Sequence, residues 1–228
     1  MKISILTLFE NYFDNFLNTS IIKRAVEKQF VSIEVINFRK YSKLKHFKVD
    51  DTAYGGGAGM VLMLQPIIDC LNEIKKANSL CILLSPCGKQ FNQEIAYDLS
   101  KYDHLIFICG HYEGIDERIL NYIDIQLSIG DFILTGGEPA CLVMMDAIIR
   151  LIPNVINKQS LATESFNNYL LDYPVYTKPE NFNGYQVPKV LLSGNHNEIN
   201  NYRNLERINK TKKYRKDLYI KYKQNGGK

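Results

Sequence analysis

The chain has 228 residues, 46% of them apolar, and a formal net charge of +4. That length supports one sizeable core and a small second unit. No apolar run approaches the roughly 18 to 20 residues of a membrane span, and the opening "MKISILTLFENYF" meets Glu10 and Asn11 too early for a secretory leader.

In chain order, residues 2–8 (KISILTL) read as a buried strand. Residues 12–29 carry apolar side chains at helical spacing, from Phe13 through Val26, and predict a helix. Residues 32–38 (SIEVINF) alternate like a strand. The stretch 39–63 has no periodicity and ends in "YGGGAGM", so a long functional loop is expected there. Pro66 suits a first helical turn and predicts a helix to about Ala77. The middle then alternates: strand 80–85, helix 91–101, strand 104–109, helix 115–122, strand 124–129, helix 138–152. That rhythm predicts an α/β domain with a mostly parallel sheet. Residues 153–172 turn polar and read as a linker. Pro174, Pro179 and Pro188 predict irregular chain, and helices at about 195–209 and 213–223 close the sequence.

Five cysteines, odd in number and without a CxxC pair, support neither a zinc site nor a disulfide framework, and fit a reduced compartment. Charge is unevenly placed. Residues 203–228 hold ten Lys/Arg against Glu206 and Asp217, while the rest of the chain sums to −4. Tyr202, Tyr214, Tyr219 and Tyr222 interleave with those cations. A basic segment with aromatic side chains fits a polyanion such as nucleic acid, and equally a solvated helix face.

Glycine-containing loops follow three predicted strands: "SPCG" (85–88), "CGHYEG" (109–114) and "IGDFILTGGEPA" (129–140). In a parallel sheet such loops share the carboxyl edge, where ligands bind. There is no GxxxxGK[ST] and no GxGxxG after the first strand, so a triphosphate or dinucleotide is disfavoured, and with it a dehydrogenase. A phosphate-free cofactor held by backbone suits the loops better. The stretch "CGHYEGIDER" (109–118) admits an acid/base cluster, a metal site or a ligand loop. No histidine pair among His46, His104, His111 and His196 has ligand spacing such as HExxH. Asp116 and Glu117 fall where a helix is expected to begin, a place acids occupy for the helix dipole. Cys109 ends an apolar strand and reads as packed.

Taken in order, "VDDTAYGGGAGM" (49–60), "LLSPCG" (83–88), "CGHYEGIDER" (109–118), "SIGDFILTGGE" (128–138), "LLDYPVYTKP" (170–179) and "VPKVLLSGNH" (187–196) give a resemblance over nearly the whole chain. The sequence resembles the bacterial tRNA (guanine-N1)-methyltransferases of the TrmD family, within the SPOUT class. The resemblance implies a methyltransferase domain over 1–156 whose parallel sheet threads a deep trefoil knot, a linker at 157–172, and a small basic helical tRNA-binding domain at 173–228. It implies methyl transfer from S-adenosylmethionine to N1 of the guanine 3′ of the anticodon (position 37), by a cytoplasmic homodimer with its active site at the subunit interface. A tRNA-binding relative that has lost methyl transfer is the alternative. By motif match, the cofactor contacts are Leu84, Ser85, Pro86, Gly110, Tyr112, Gly114, Ile129, Gly130, Asp131, Phe132, Ile133, Leu134, Gly136 and Gly137. The tRNA contacts are Arg24, Asp50, Gly55, Gly56, Gly57 and His196. Arg150 is the cation expected near guanine O6. The family is reported to need Mg²⁺, for which the sequence offers no dedicated cage.

The chemistry asks for a base to take the N1 proton and for a positive group where charge grows on O6. In the family that base is the Asp of "EDSF". Here the linker reads "ATESF", one residue shorter. Glu164 is the favoured base, its longer side chain offsetting the shorter loop, and Asp172 is the other choice. Ala53 and Ala58 stand where relatives often carry Pro.

Overall fold

The structure is a computed structural model and describes residues 1–157, 160–161 and 163–227. The chain divides into two compact units, Met1–Ile156 and Asn157–Lys228.

The first unit is built on a five-stranded parallel sheet. Its strands are β1 (Lys2–Thr7), β2 (Ser32–Asn37), β5 (Ser79–Gln90), β6 (His104–Ile108) and β7 (Ile125–Ser128). They lie in the order β2-β1-β6-β5-β7. Strand β1 pairs in parallel with both β2 and β6, and β5 with both β6 and β7. Both faces are covered, which is why the central strands are apolar at successive positions rather than at alternate ones. Ile3, Ile5, Ile82, Leu105 and Phe107 face one core; Leu6, Cys81, Leu83, Ile106 and Ile108 face the other.

Helices α2 (Ser20–Glu27), α4 (Gln93–Leu99) and α5 (Glu138–Ile149) supply the first core. Helix α3 (Leu64–Ile74) supplies the second. Asn92 starts α4 by accepting the Ile95 N–H on its side chain. Helix α5 buries Ala140, Cys141, Met144, Met145, Ile148 and Ile149, so it is apolar on almost all sides. A two-residue hairpin, β3 (Asp50–Asp51) with β4 (Val61–Leu62), and two 3-10 turns organise the stretch expected to be irregular.

Three elements differ from the sequence reading. The helix expected over 12–29 is broken into a 3-10 turn, α1 (Asp14–Leu17) and α2. At the break the Asn18 amide donates to the Asp14 carbonyl at 2.8 Å and the Thr19 hydroxyl to that of Asn15. Such local side-chain bonds compete with the helix ladder. Strand β5 does not end at Ser85: β7 pairs with Leu84 and again with Lys89, so Ser85–Gly88 bulge out and the strand resumes. The helix expected over 115–122 is one 3-10 turn, Glu117–Asn121, capped by Asp116.

In the second unit, helices α6 (His196–Tyr214) and α7 (Lys216–Gln224) meet at Arg215, whose non-helical backbone ends one and starts the other. Asn195 caps α6 by accepting from the Asn197 and Glu198 N–H groups. A small hairpin, β8 (Asn181–Phe182) with β9 (Tyr185–Gln186), turns on Asn183-Gly184, both with positive φ. Of the segment expected as a linker, Lys158, Gln159 and Ala162 lie outside the described residues. The part nearest α6 packs on it: Leu170 is buried and the Leu171 N–H donates to Thr211 Oγ1 at 2.8 Å.

Candidate functional site

The bulge of β5, the loop after β6 and the loop after β7 open at the carboxyl edge of the sheet, around a cleft of about 560 Å³. It is lined by 83–87, by 110–115 with Glu117, Ile119 and Leu120, and by 126–130 and 132–137, with Ala140 behind. That volume is within the roughly 300–1,000 Å³ of small-molecule sites. Leu127, Ile129, Phe132 and Ile133 are among its walls, and Gly110, Gly114, Gly130, Gly136 and Gly137 line it too. Among the described residues no lysine or arginine lines the cleft, whereas Glu113 and Glu117 do. The site therefore suits a ligand without phosphates, and one carrying positive charge better than one carrying negative charge.

Two approaches of chain set the cleft's shape. The Gly137 N–H donates to the Gly110 carbonyl at 2.9 Å, which joins the second and third loops. A Cβ on Gly137 would stand 2.8 Å from Cys109 Cα, so only glycine permits this distance. A Cβ on Gly136 would run into the His111 ring and the Glu138 carboxylate. Beneath these loops Glu138, only 1% exposed, opens α5 and accepts from the Thr7 hydroxyl at 2.6 Å. Its other oxygen lies 3.3 Å from His111 Nε2. Thr7 Oγ1 in turn accepts the Phe9 N–H at 2.9 Å, and the Phe9 ring is 4.6 Å from that of His111. The buried carboxylate is thus held by a hydroxyl, an imidazole and the positive end of a helix.

The glycine-rich loop before β4 is tied to the same place. The Glu113 N–H donates to Met60 O at 3.0 Å, Leu62 N–H to Gly114 O at 2.9 Å, and Asp116 N–H to Leu62 O at 3.0 Å. Gly55, Gly56 and Gly57 are exposed, with φ of 88°, 80° and 120°.

Titration follows packing. Burial pushes the Cys70 and Cys81 thiols up to about 12, and burial, with the Cys141 thiol beside it, holds that of Cys109 well above its ordinary value. Cys109 is therefore a packed residue and not a nucleophile at neutral pH. The Arg118 guanidinium bonded to Asp116 holds that carboxyl below its usual range. Among the described residues, no group of three or more His, Cys, Asp or Glu could hold a metal ion, and no helix is long and apolar enough to cross a membrane.

Of the residues expected around a cofactor, Leu84, Ser85, Pro86, Gly110, Tyr112, Gly114, Ile129, Gly130, Phe132, Ile133, Leu134, Gly136 and Gly137 line this one cleft, and Asp131 does not. Arg150 does not either. It caps the far end of α5, roughly 18 Å along the helix axis from Glu138. Arg24 is exposed on α2 and Asp50 is half-buried in β3. Glu164, Asp172 and His196 belong to the second unit. The Ser165 hydroxyl accepts the Asp172 N–H at 3.0 Å, and the Asp172 carboxylate accepts the Tyr173 N–H at 2.7 Å. His196 is exposed in the first turn of α6. Sequence reasoning missed Thr7, Phe9 and Glu138 as a unit. Glu138 directly follows a glycine pair and precedes a proline, a pattern that reads as an ordinary helix start.

A family model described as "tRNA (Guanine-1)-methyltransferase TrmD" matches residues 1–221. Curated proteins named "tRNA (guanine-N(1)-)-methyltransferase" are similar over almost their full length. That of Malacoplasma penetrans is 63% identical, covering 97% of this chain and 98% of the relative. That of Mycoplasmoides gallisepticum is 56% identical and covers 99% of both chains. That of Mycoplasma genitalium is 55% identical, over 99% of this chain and 97% of the relative.

Proposed function

Since the chain belongs to the tRNA (guanine-1)-methyltransferase family, we propose that it transfers a methyl group from S-adenosylmethionine to N1 of the guanine 3′ of the anticodon in tRNA. The observation that carries the cofactor is the cleft itself. Among the described residues it is lined by glycine loops and two glutamates and by no lysine or arginine, which fits a nucleoside bearing a sulfonium and an amino group. When bound, that group supplies an electrophilic methyl on a cationic sulfur. The chain's own residues do the rest. The three loops fix the donor by backbone N–H and C=O groups, so much of the rate comes from orientation. Glu164, or Asp172 in its place, takes the N1 proton. Arg150 stabilises the charge that grows on O6.

The 18 Å or so between the two ends of α5 means that one chain's Arg150 does not reach its own cleft. We propose a homodimer in which one copy's cleft meets the other copy's Arg150. The exposed apolar residues Phe132, Ile133 and Leu134 at the mouth of the cleft suit burial by a second copy. The sheet order, with β6 inserted between β1 and β5, is compatible with the trefoil knot of the SPOUT class. In this reading the second unit, with Lys212, Lys213, Lys216, Lys221 and Lys223 exposed, grips the tRNA phosphates, and the enzyme works in the cytoplasm.

The test is methylation of a transcript with guanine at the target position beside one with adenine there. N1-methylguanine is expected on the first alone. Calorimetric titration with S-adenosylhomocysteine tests the cleft. Single-turnover rates across pH then assign the base: loss of the acting carboxylate is expected to slow the step by about 10²- to 10⁴-fold. If Glu164→Gln keeps the wild-type rate, Glu164 is not the base.

A further inference from the structure

The segment from Glu164 to Asp172 holds an unusual amount of strained backbone. Phe166, Asn168 and Tyr169 have φ of 76°, 53° and 59° within four residues, and none is glycine. For bulky side chains this region is sparsely populated, and it persists only where surroundings impose it. Here helix α6 imposes it. Arg207 Nη2 donates to the Asn167 carbonyl at 3.2 Å and Arg207 Nε to the Leu171 carbonyl at 3.3 Å. One turn along, Thr211 Oγ1 accepts the Leu171 N–H at 2.8 Å while donating to the Arg207 carbonyl at 2.7 Å. The Arg215 guanidinium lies 5.9 Å from the Phe166 ring, a further turn on. Arg207 is 9% exposed and Thr211 is fully buried. Residues 207 and 211 are four positions apart, so they share one stripe of the helix facing this segment, and Arg215 at the C-cap follows on from it. Within the segment the Phe166 N–H closes on the Leu170 carbonyl at 2.7 Å.

We infer that Arg207 and Thr211 are positioning residues for methyl transfer: they set the conformation of the segment that begins at Glu164 and ends at Asp172. The inference rests on the reading that one of those two acids takes the N1 proton. Glu164 lies three residues before the carbonyl that Arg207 binds, and Asp172 directly follows the other. Arg207 therefore stands apart from the exposed lysines of the same helix. Its fork is occupied by two backbone carbonyls inside the unit, where a tRNA phosphate does not reach it. Basic helix and catalytic segment are one mechanical piece, so the element that grips tRNA also shapes the proton acceptor.

The experiment uses full-length Arg207→Lys, Thr211→Val and Thr211→Ser, beside Glu164→Gln and Asp172→Asn. Arg207→Lys keeps the charge but cannot make the two-pronged contact. Thr211→Val keeps shape and drops the hydroxyl; Thr211→Ser restores it. Single-turnover methylation at saturating S-adenosylmethionine and tRNA is followed across pH, with affinity for tRNA and for S-adenosylhomocysteine measured separately. Arg207→Lys and Thr211→Val are expected to slow the step by roughly 10- to 100-fold, the size of a displacement of about 1 Å. Both affinities stay near wild type, Thr211→Ser recovers the rate, and the deficit narrows at alkaline pH, where N1 gives up its proton more easily. Wild-type rates in Arg207→Lys and Thr211→Val overturn the inference whatever the acid variants do. So does a loss explained wholly by weaker tRNA binding. If the positioning variants are slow while neither acid variant is, the assignment of the base falls and the inference that rests on it falls with it. Should Arg207→Lys fail to fold, Thr211→Val against Thr211→Ser decides alone.

Discussion

Replacing Gly137 by alanine asks whether the close approach of two loops shapes the cleft. Its φ is −78°, which alanine adopts freely, so backbone strain plays no part. What alanine meets is space: its Cβ would stand 2.8 Å from Cys109 Cα, 3.1 Å from Gly110 N and 3.2 Å from Cys109 Cβ. Two of these neighbours are backbone atoms at the end of a central strand, and Cys109 is anchored by its N–H on Leu6 O at 2.9 Å. Neither side yields easily, and forcing an extra carbon into a packed interior costs about 1–3 kcal/mol. For a protein of this size that is a fall of roughly 2–12 °C in Tm. The 2.9 Å bond from Gly137 N–H to Gly110 O must lengthen as the loops part, so S-adenosylhomocysteine binds more weakly. Gly110→Ala is the control. It lies on the same cleft, yet its Cβ meets only the Ile115 side chain at 3.6 Å, an ordinary contact. Thermal melts and calorimetric titration of both variants decide. A Gly137→Ala protein that melts and binds as wild type does, or a Gly110→Ala protein that loses more, refutes the reasoning.

Glu138→Ala removes the buried acceptor of Thr7 and the partner of His111. A hydrogen bond to a charged group contributes about 1.5–3 kcal/mol, so a drop of several degrees in Tm is expected by differential scanning calorimetry. In native protein near neutral pH a thiol reagent should modify Cys87, which is exposed and lines the cleft, well before the buried Cys70, Cys81, Cys109 and Cys141, and S-adenosylhomocysteine should slow that reaction. Peptide mapping of the modified protein checks the order; early modification of Cys109 would contradict the packing. Lys212→Gln with Lys213→Gln should weaken tRNA binding and lower the slope of log affinity against log salt by roughly 0.7–0.9 for each phosphate no longer neutralised, read by filter binding at several salt concentrations.

The sequence by itself determined the class of the fold and the edge at which the cleft opens. The strands between residues 80 and 128 read as continuous apolar runs because a sheet covered on both faces needs them, although the connection between β6 and β7 folds as a 3-10 turn and not as the helix expected. Glycines in the bulge of β5 and in the loops after β6 and β7 pointed to the right places for the same local reason. Their individual importance was a tertiary matter. Gly110 and Gly137 stand alike in the sequence as members of glycine loops, yet Gly137 is the residue pressed against backbone, since only the packing of α5 under Cys109 creates that approach. Sequence spacing offered His111 no partner, because Glu138 is 27 positions away and Thr7 lies on another strand. The break at Asn18–Thr19 and the resumption of β5 at Lys89 were invisible for a related reason: side-chain bonds to backbone and a bulge override a periodicity that runs straight through them. Arg207 shows the divide most plainly. Counted in the sequence, it is one more cation in a basic tail. Folded, it is buried and bonded to two carbonyls, since burial decides whether a charge addresses a partner or holds its own chain.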